Sequence, residues 1–296
     1  MFSTVTGKNL WASTLSKLLS RKGSPIDATL EAYIKSINSY NASQPNVEML
    51  DAIRRYNHTI VDSLNTIQPL KGRRILDIGA SPHGYALERC LTLGAAEYVG
   101  IGLDIHDEFD LVTTSGNARL TYMNAESLEF SDNEFESIVT MSTFEHIGNV
   151  GKALSEFRRV LKPGGCILIS FEPLWTCSYG HHLHHLGEIS RLVPDWAHLM
   201  WSKTEMYEHL HSCWPDNAPI SVEDACTWIY DGDALNRKGI VEMRQILSDC
   251  QMHIEWIIPM LDESRSEEQL ALAREKTGLS REDLMTKGLS VLIYKH

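Results

Sequence analysis

Between residues 71 and 174 the chain repeats one texture: short apolar runs, RILDI, YVGIGL, LTYM, ESIVTM and CILISF, separated by segments of helical spacing. Runs of four to six residues that are apolar almost throughout suit strands buried on both faces, and such strands need a crossover element between them. The alternation therefore predicts an α/β domain, a doubly wound, mostly parallel sheet with helices on its faces. One crossover is legible in detail, because VGKALSEFRRVLKPGG puts Leu154, Phe157 and Leu161 on one helical stripe and stops at Pro163-Gly164-Gly165.

On either side the texture changes. Residues 1–70 read as an N-terminal helical cap, with Leu50, Ile53, Ile60 and Leu64 near 3.6 spacing and Pro25, Pro45 and Pro69 as punctuation. Its first 26 residues carry Lys8, Lys17, Arg21 and Lys22 without an acid, and Leu10, Trp11, Leu15, Leu18 and Leu19 share a helical face; both a transit peptide and a lid helix fit that pattern. Residues 71–174 are the core. Residues 175–237 hold five of the seven tryptophans (Trp175, Trp196, Trp201, Trp214, Trp228) and seven of the thirteen histidines, and read as a lid inserted over the active site. Residues 238–296 return to the core with a helix near 238–249, a strand at HIEWIIPM, an acidic helical stretch from Ser266 to Lys287, and a last strand LSVLIYK. The last two strands would form an antiparallel edge, making seven strands in all.

Charge narrows the function. A net charge of -12 opposes a sequence-independent grip on nucleic-acid backbones, which needs clustered Lys and Arg. No apolar run reaches the roughly 18 to 20 residues of a membrane span. The six cysteines form no CxxC pair and read as reduced thiols, so the expected setting is cytoplasmic. Two Asn-x-Ser/Thr triplets, at Asn41 and Asn57, read as accidental.

The segment RRILDIGASPHGYALERC supplies a strand, a turn of small residues and a helix. Asp77 falls at the strand's carboxyl end, Gly79 admits close approach of backbone to a ligand, and Gly84 opens the helix. Dinucleotide enzymes use the same crevice, so this turn by itself leaves NAD open. The segment resembles motif I of class I S-adenosylmethionine-dependent methyltransferases, D-x-G-x-G-x-G, with Ser81 and His83 in place of the later glycines. FEHI followed by ALSEFRRVLKPGGCILIS is similar to the type 11 methyltransferases over roughly residues 72–172.

That resemblance implies S-adenosyl-L-methionine as cofactor and places its contacts at Asp77, Gly79, Ser81 and Gly84, at Asn124, Ala125 and Glu126, and at Met141 and Ser142. The family's acid at the end of the second strand would stand at Gly102. Asp104, two residues on and on the same face of an extended strand, is its substitute.

Methyl transfer from a sulfonium is an in-line displacement, and a general base matters where the acceptor is a hydroxyl. Histidine suits that role. His181, His182, His184 and His185 follow the fifth strand, with 181, 184 and 185 on one face if the segment is helical, and His146 in FEHI lies at the end of the fourth. Each has a plain alternative as a packing or capping residue. Some relatives hold a divalent ion with Glu-x-x-Glu-His at that position; here Ser142 replaces the first acid, leaving Glu145 and His146 with His182 or His185, and no metal ligand is assigned. The tryptophans either stack on an acceptor ring or fill the lid's own core. The expectation is O-methylation of a small-molecule or glycan hydroxyl with a His base; N-methylation, metal-assisted transfer and a non-catalytic binding subunit are the alternatives.

Overall fold

The computed structural model describes residues 47–81, 84–105, 109–112 and 116–296. The first 46 residues, which include the basic apolar stretch and Asn41, lie outside the described residues, as does His83. The strands follow the order β3-β4-β2-β1-β5-β6-β8-β7. They are β1 (Arg74–Ile78), β2 (Glu97–Gly102), β3 (Phe109–Val112), β4 (Asn117–Tyr122), β5 (Phe135–Met141), β6 (Leu161–Phe171), β7 (His253–Leu261) and β8 (Thr286–Tyr294). β1 pairs in parallel with β2 and β5, and β2 with β4. β3–β4 and β7–β8 are antiparallel. The sheet is thus the expected mostly parallel one with an antiparallel edge at β7–β8; the four-residue β3, which no apolar run announces, adds an eighth strand and a second antiparallel edge.

Two compact units divide the chain. The first comprises residues up to Met141, Arg159–Leu168 and Lys295–His296. In it helix α1 (Val47–Ile67) lies against α2 (Tyr85–Thr92). Val61 and Leu64 are fully buried, each burial being worth about 2 kcal/mol, and the Arg89 guanidinium donates to Asp62 at 2.7 Å. β1 and β2 are buried along almost their whole length, as a central parallel pair must be.

The second unit comprises Ser142–Arg158 and Ile169–Tyr294. It opens with a single 3-10 turn (Phe144–His146), continues through most of helix α3 (Val150–Val160), and contains the whole inserted segment. Helix α3 yields to β6 at Leu161, ahead of Pro163, because a proline forces the residue before it into extended backbone. The insertion folds as a second 3-10 stretch (His184–Leu192) and helices α4 (Ala197–Met200), α5 (Lys203–Cys213) and α6 (Val222–Tyr230). α5 is held by a capping box between Ser202 and Glu205, and α6 by Ser221, whose hydroxyl accepts from Asp224 N. Helices α7 (Ile240–Ser248), α8 (Glu267–Thr277) and α9 (Arg281–Met285) follow, matching the expected C-terminal elements.

The tryptophans of residues 175–237 fill two apolar clusters, one within that segment and one shared with the C-terminal helices. Trp196 is fully buried among Leu270, Ala273 and Leu284, its Nε1 donating to Leu284 O at 3.3 Å, while Trp175, Trp201, Trp214 and Trp228 pack around Leu183, Met206, Leu210 and Ile229. Of the two readings open in the sequence, core packing is therefore the one their contacts serve. Among the described residues no helix is long and apolar enough to cross a membrane.

Candidate functional site

The loop leaving β1 is tied to the end of β2, since the N–H groups of Gly79 and Ala80 both donate to Ile101 O at 2.8 Å. Gly79 and Gly84 adopt left-handed backbone, with φ of 77° and 67°, so the turn needs glycine at both places. Gly100 keeps this loop close to the sheet: a Cβ there would stand 2.6 Å from Ala80 Cβ and 2.4 Å from Leu120 Cδ2. Asp77 is buried at the head of β1. The Tyr98 hydroxyl donates to its Oδ2 at 2.5 Å, and Oδ1 has no hydrogen-bond partner among the described residues. Burial pushes its carboxyl up to about 7, the Tyr98 hydrogen bond opposing that in part. An orphaned acid oxygen beside a glycine-lined turn fits a cationic ligand with a polar head.

The turn after β4 is shaped by Asn124, whose side-chain oxygen accepts from Glu126 N at 2.8 Å, an Asx turn that also explains why Asn suits the position. Ala125 and Glu126 are half-buried on that turn. At the end of β2 the strand stops at Gly102, and Leu103 and Asp104 turn outward, both exposed. The alternation by which Asp104 would share the face of Gly102 therefore ends before reaching it. Met141 is buried at the end of β5. In the second unit Ser142 takes φ of 47° and donates its N–H to Ser170 O at 2.9 Å.

The 3-10 turn that follows brings chemistry together. The buried Glu145 carboxylate has no hydrogen-bond partner on either oxygen among the described residues, and burial pushes it up to about 8. His146 Nε2 lies 4.0 Å from Glu145 Oε1, its Nδ1 lies 2.8 Å from Ala234 O, and its ring meets that of His182 edge-on at 4.6 Å between centroids. Glu145, His146 and His182 each offer a ligand atom within 4.8 Å of the others, a set that a divalent ion could occupy.

The four histidines after β6 therefore part company. His182, at φ of 60°, reaches His146. His181 is buried, its Nδ1 accepting from Leu183 N at 3.2 Å and its ring packed on His198, itself held down to about 4 by burial. His184 and His185 start the second 3-10 stretch, so the helical face expected to unite 181, 184 and 185 does not form. The side chains of 184 and 185 lie outside the described residues.

Two features of the site have no counterpart in the sequence reading. Asn236 donates its N–H to Glu145 O at 2.9 Å and its Nδ2 to Phe144 O at 2.6 Å and Ile147 O at 3.1 Å. The loop leading to His182 is fixed by Ser178, whose hydroxyl donates to Asp262 Oδ2 at 2.8 Å; Arg265 joins that acid at 2.8 Å and Asp195 at 3.2 Å. Such contacts link positions some 70 to 90 residues apart and leave no local pattern to read.

Residues 76–169 match the family model described as "Methyltransferase domain". Among curated relatives, the demethylmenaquinone methyltransferase of Clavibacter sepedonicus is 26% identical over 172 residues, covering 54% of this chain and 67% of that one. The mitochondrial ubiquinone biosynthesis O-methyltransferase of Rattus norvegicus is 31% identical over 176 residues, covering 55% of this chain and 49% of that one. The chain spans about half the length of several curated relatives it matches, as with the 50% covered in the Dictyostelium discoideum ubiquinone enzyme. A solved S-adenosylmethionine-dependent methyltransferase of Mesorhizobium loti matches with a TM-score of 0.46 at 14% identity, covering 79% of this chain and 96% of that one.

Proposed function

We propose, starting from a chain whose residues 76–169 are a class I S-adenosylmethionine-dependent methyltransferase domain, that the protein methylates a hydroxyl of a small-molecule or glycan acceptor, with His146 and His182 supplying the general base. The observation that carries this reading is the contact of the two imidazoles beside the orphaned Glu145 carboxylate. The O-methyltransferase relative supports a hydroxyl acceptor.

S-adenosylmethionine supplies an electrophilic methyl group on a sulfonium. We assign its contacts to Asp77, Gly79, Ser81, Gly84, Asn124, Ala125, Glu126 and Met141, with the Asp77 carboxylate offering negative charge to a cationic ligand; Asp104, exposed beyond the end of β2, is set aside. His146 or His182 takes the acceptor's proton as the oxygen attacks. Burial favours the protonated form of Glu145 at neutral pH, so it sets no full anion beside the imidazoles. His181, buried in the insertion, serves packing instead.

The test is His146→Ala and His182→Ala in the full chain, assayed with labelled methyl donor against panels of phenolic, aliphatic-hydroxyl and sugar acceptors. A base contributes about 10²- to 10⁴-fold, so at least one variant should lose about 100-fold or more in kcat while binding S-adenosylmethionine with unchanged affinity. Full rates in both variants would refute the assignment.

A second reading rests on the ligand geometry of the same three residues. Glu145, His146 and His182 would hold a divalent ion, which would polarise a bound hydroxyl. Chelation separates the two: EDTA treatment leaves the rate intact if imidazole acts alone, and abolishes it reversibly if a metal is required.

A further inference from the structure

The Phe144–His146 turn is short, and the bond it closes on itself, from Ile147 N to Phe144 O, is long at 3.4 Å. Three carbonyls between Phe144 and Ile147 are held by one distant residue. Asn236 donates from its backbone to Glu145 O and from its side-chain amide to Phe144 O and Ile147 O, at 2.9, 2.6 and 3.1 Å. Its side-chain oxygen accepts from Lys238 N at 3.2 Å, which fixes the amide's orientation, so the Nδ2 end is the one facing the two carbonyls. Two residues earlier Ala234 O sits 2.8 Å from His146 Nδ1. A carbonyl can only accept, so in the neutral ring Nδ1 carries the proton and Nε2, the nitrogen turned toward Glu145, is the basic atom.

We infer that Asn236 is a positioning residue: by pinning the Phe144–Ile147 backbone to the irregular segment 234–238, it holds His146 against the Ala234 carbonyl and so selects the ring tautomer whose basic nitrogen is Nε2. The significance of that nitrogen for methyl transfer rests on the reading of His146 as a base; the tautomer itself does not. Arg237, the next residue, steadies the segment from the other side, donating from its guanidinium to Ile229 O and Gly232 O at 3.2 and 2.8 Å and lying over the Trp175 ring at 5.3 Å. A left-handed φ of 54° at Arg237 marks the bend that lets its two neighbours face different partners.

The experiment is nitrogen NMR on the full chain labelled with ¹⁵N-histidine, the His146 signals being identified by their absence in His146→Ala. In the unaltered protein above the imidazole's titration range, His146 should be protonated at Nδ1. Asn236→Ala should shift it toward the Nε2-protonated form that predominates in free histidine side chains. Asn236→Asp, which sets a carboxylate against two carbonyl oxygens, should shift it at least as far. The unaltered protein showing Nε2–H, or either variant retaining the Nδ1–H form, overturns the inference, and the first of these needs no variant that folds. The reading of His146 as base fails separately, through an undiminished methyl-transfer rate in His146→Ala, whatever the NMR shows.

Discussion

Replacing Glu145 by Gln tests the electrostatics of the site in a quantity that can be worked out beforehand. The carboxyl is buried, neither oxygen is partnered, and its pKa rises from 4.5 to about 8 on folding, chiefly through loss of solvent. A raised acid pKa means that the folded chain holds a proton the unfolded chain releases, so stability is full below pH 4.5 and falls as pH rises, until the folded group also ionises near 8. Gln keeps the shape and cannot ionise. The stability gap between Glu145→Gln and the unaltered protein should therefore widen by about 1.4 kcal/mol per pH unit from near 4.5, reach about 3 kcal/mol at pH 7, and level off beyond pH 8 at about 5 kcal/mol as an upper bound. Urea unfolding at intervals from pH 4 to 9, in the presence of EDTA, measures it. A gap that stays flat with pH would refute the argument that this carboxyl is desolvated and without compensation. Repeating the series with Mn²⁺ or Zn²⁺ and finding the gap reversed would favour the metal reading, since an ion would hold the carboxylate charged.

Gly180→Ala would set a Cβ 2.0 Å from the Trp175 carbonyl oxygen, so the loop leading to His182 must move; a loss of about 2 kcal/mol or more in thermal unfolding is expected, and an unchanged melting temperature would show the turn to be more forgiving than drawn. Asp77, up at about 7, should bind a sulfonium-bearing cofactor better once ionised, so calorimetric affinity for S-adenosylmethionine should rise by up to about tenfold between pH 6 and 8 and be independent of pH across that range in Asp77→Asn; the same slope in both proteins would remove Asp77 from the contact.

The sheet was legible because parallel strands buried on both faces must be apolar almost throughout, as RILDI and ESIVTM nearly are. β3 escaped because it is four residues long and sits at an edge, where burial makes no such demand. The turn after β1 was legible for a similar reason: positive φ at Gly79 and Gly84 writes itself into the sequence as glycine. Asp104 shows the limit of period-two reasoning, which holds only while the strand lasts, and β2 ends at Gly102. The histidines show another. His181 and His182 are chemically identical neighbours, and a single left-handed residue sends one into the packed interior and the other to His146. Asn236 was illegible altogether, because its partners are main-chain carbonyls, which every residue possesses.

The dependence of His146 on a carbonyl 88 positions later has a consequence for how such proteins can be built or diverge. A chimera that transplants the stretch through the FEHI turn but takes its insertion from elsewhere would inherit the imidazole without the backbone that orients it. Segments 142–147 and 232–238 must travel together, as one inherited module written in two distant places, and recombination points chosen between them should yield proteins that fold with the His146 ring no longer held.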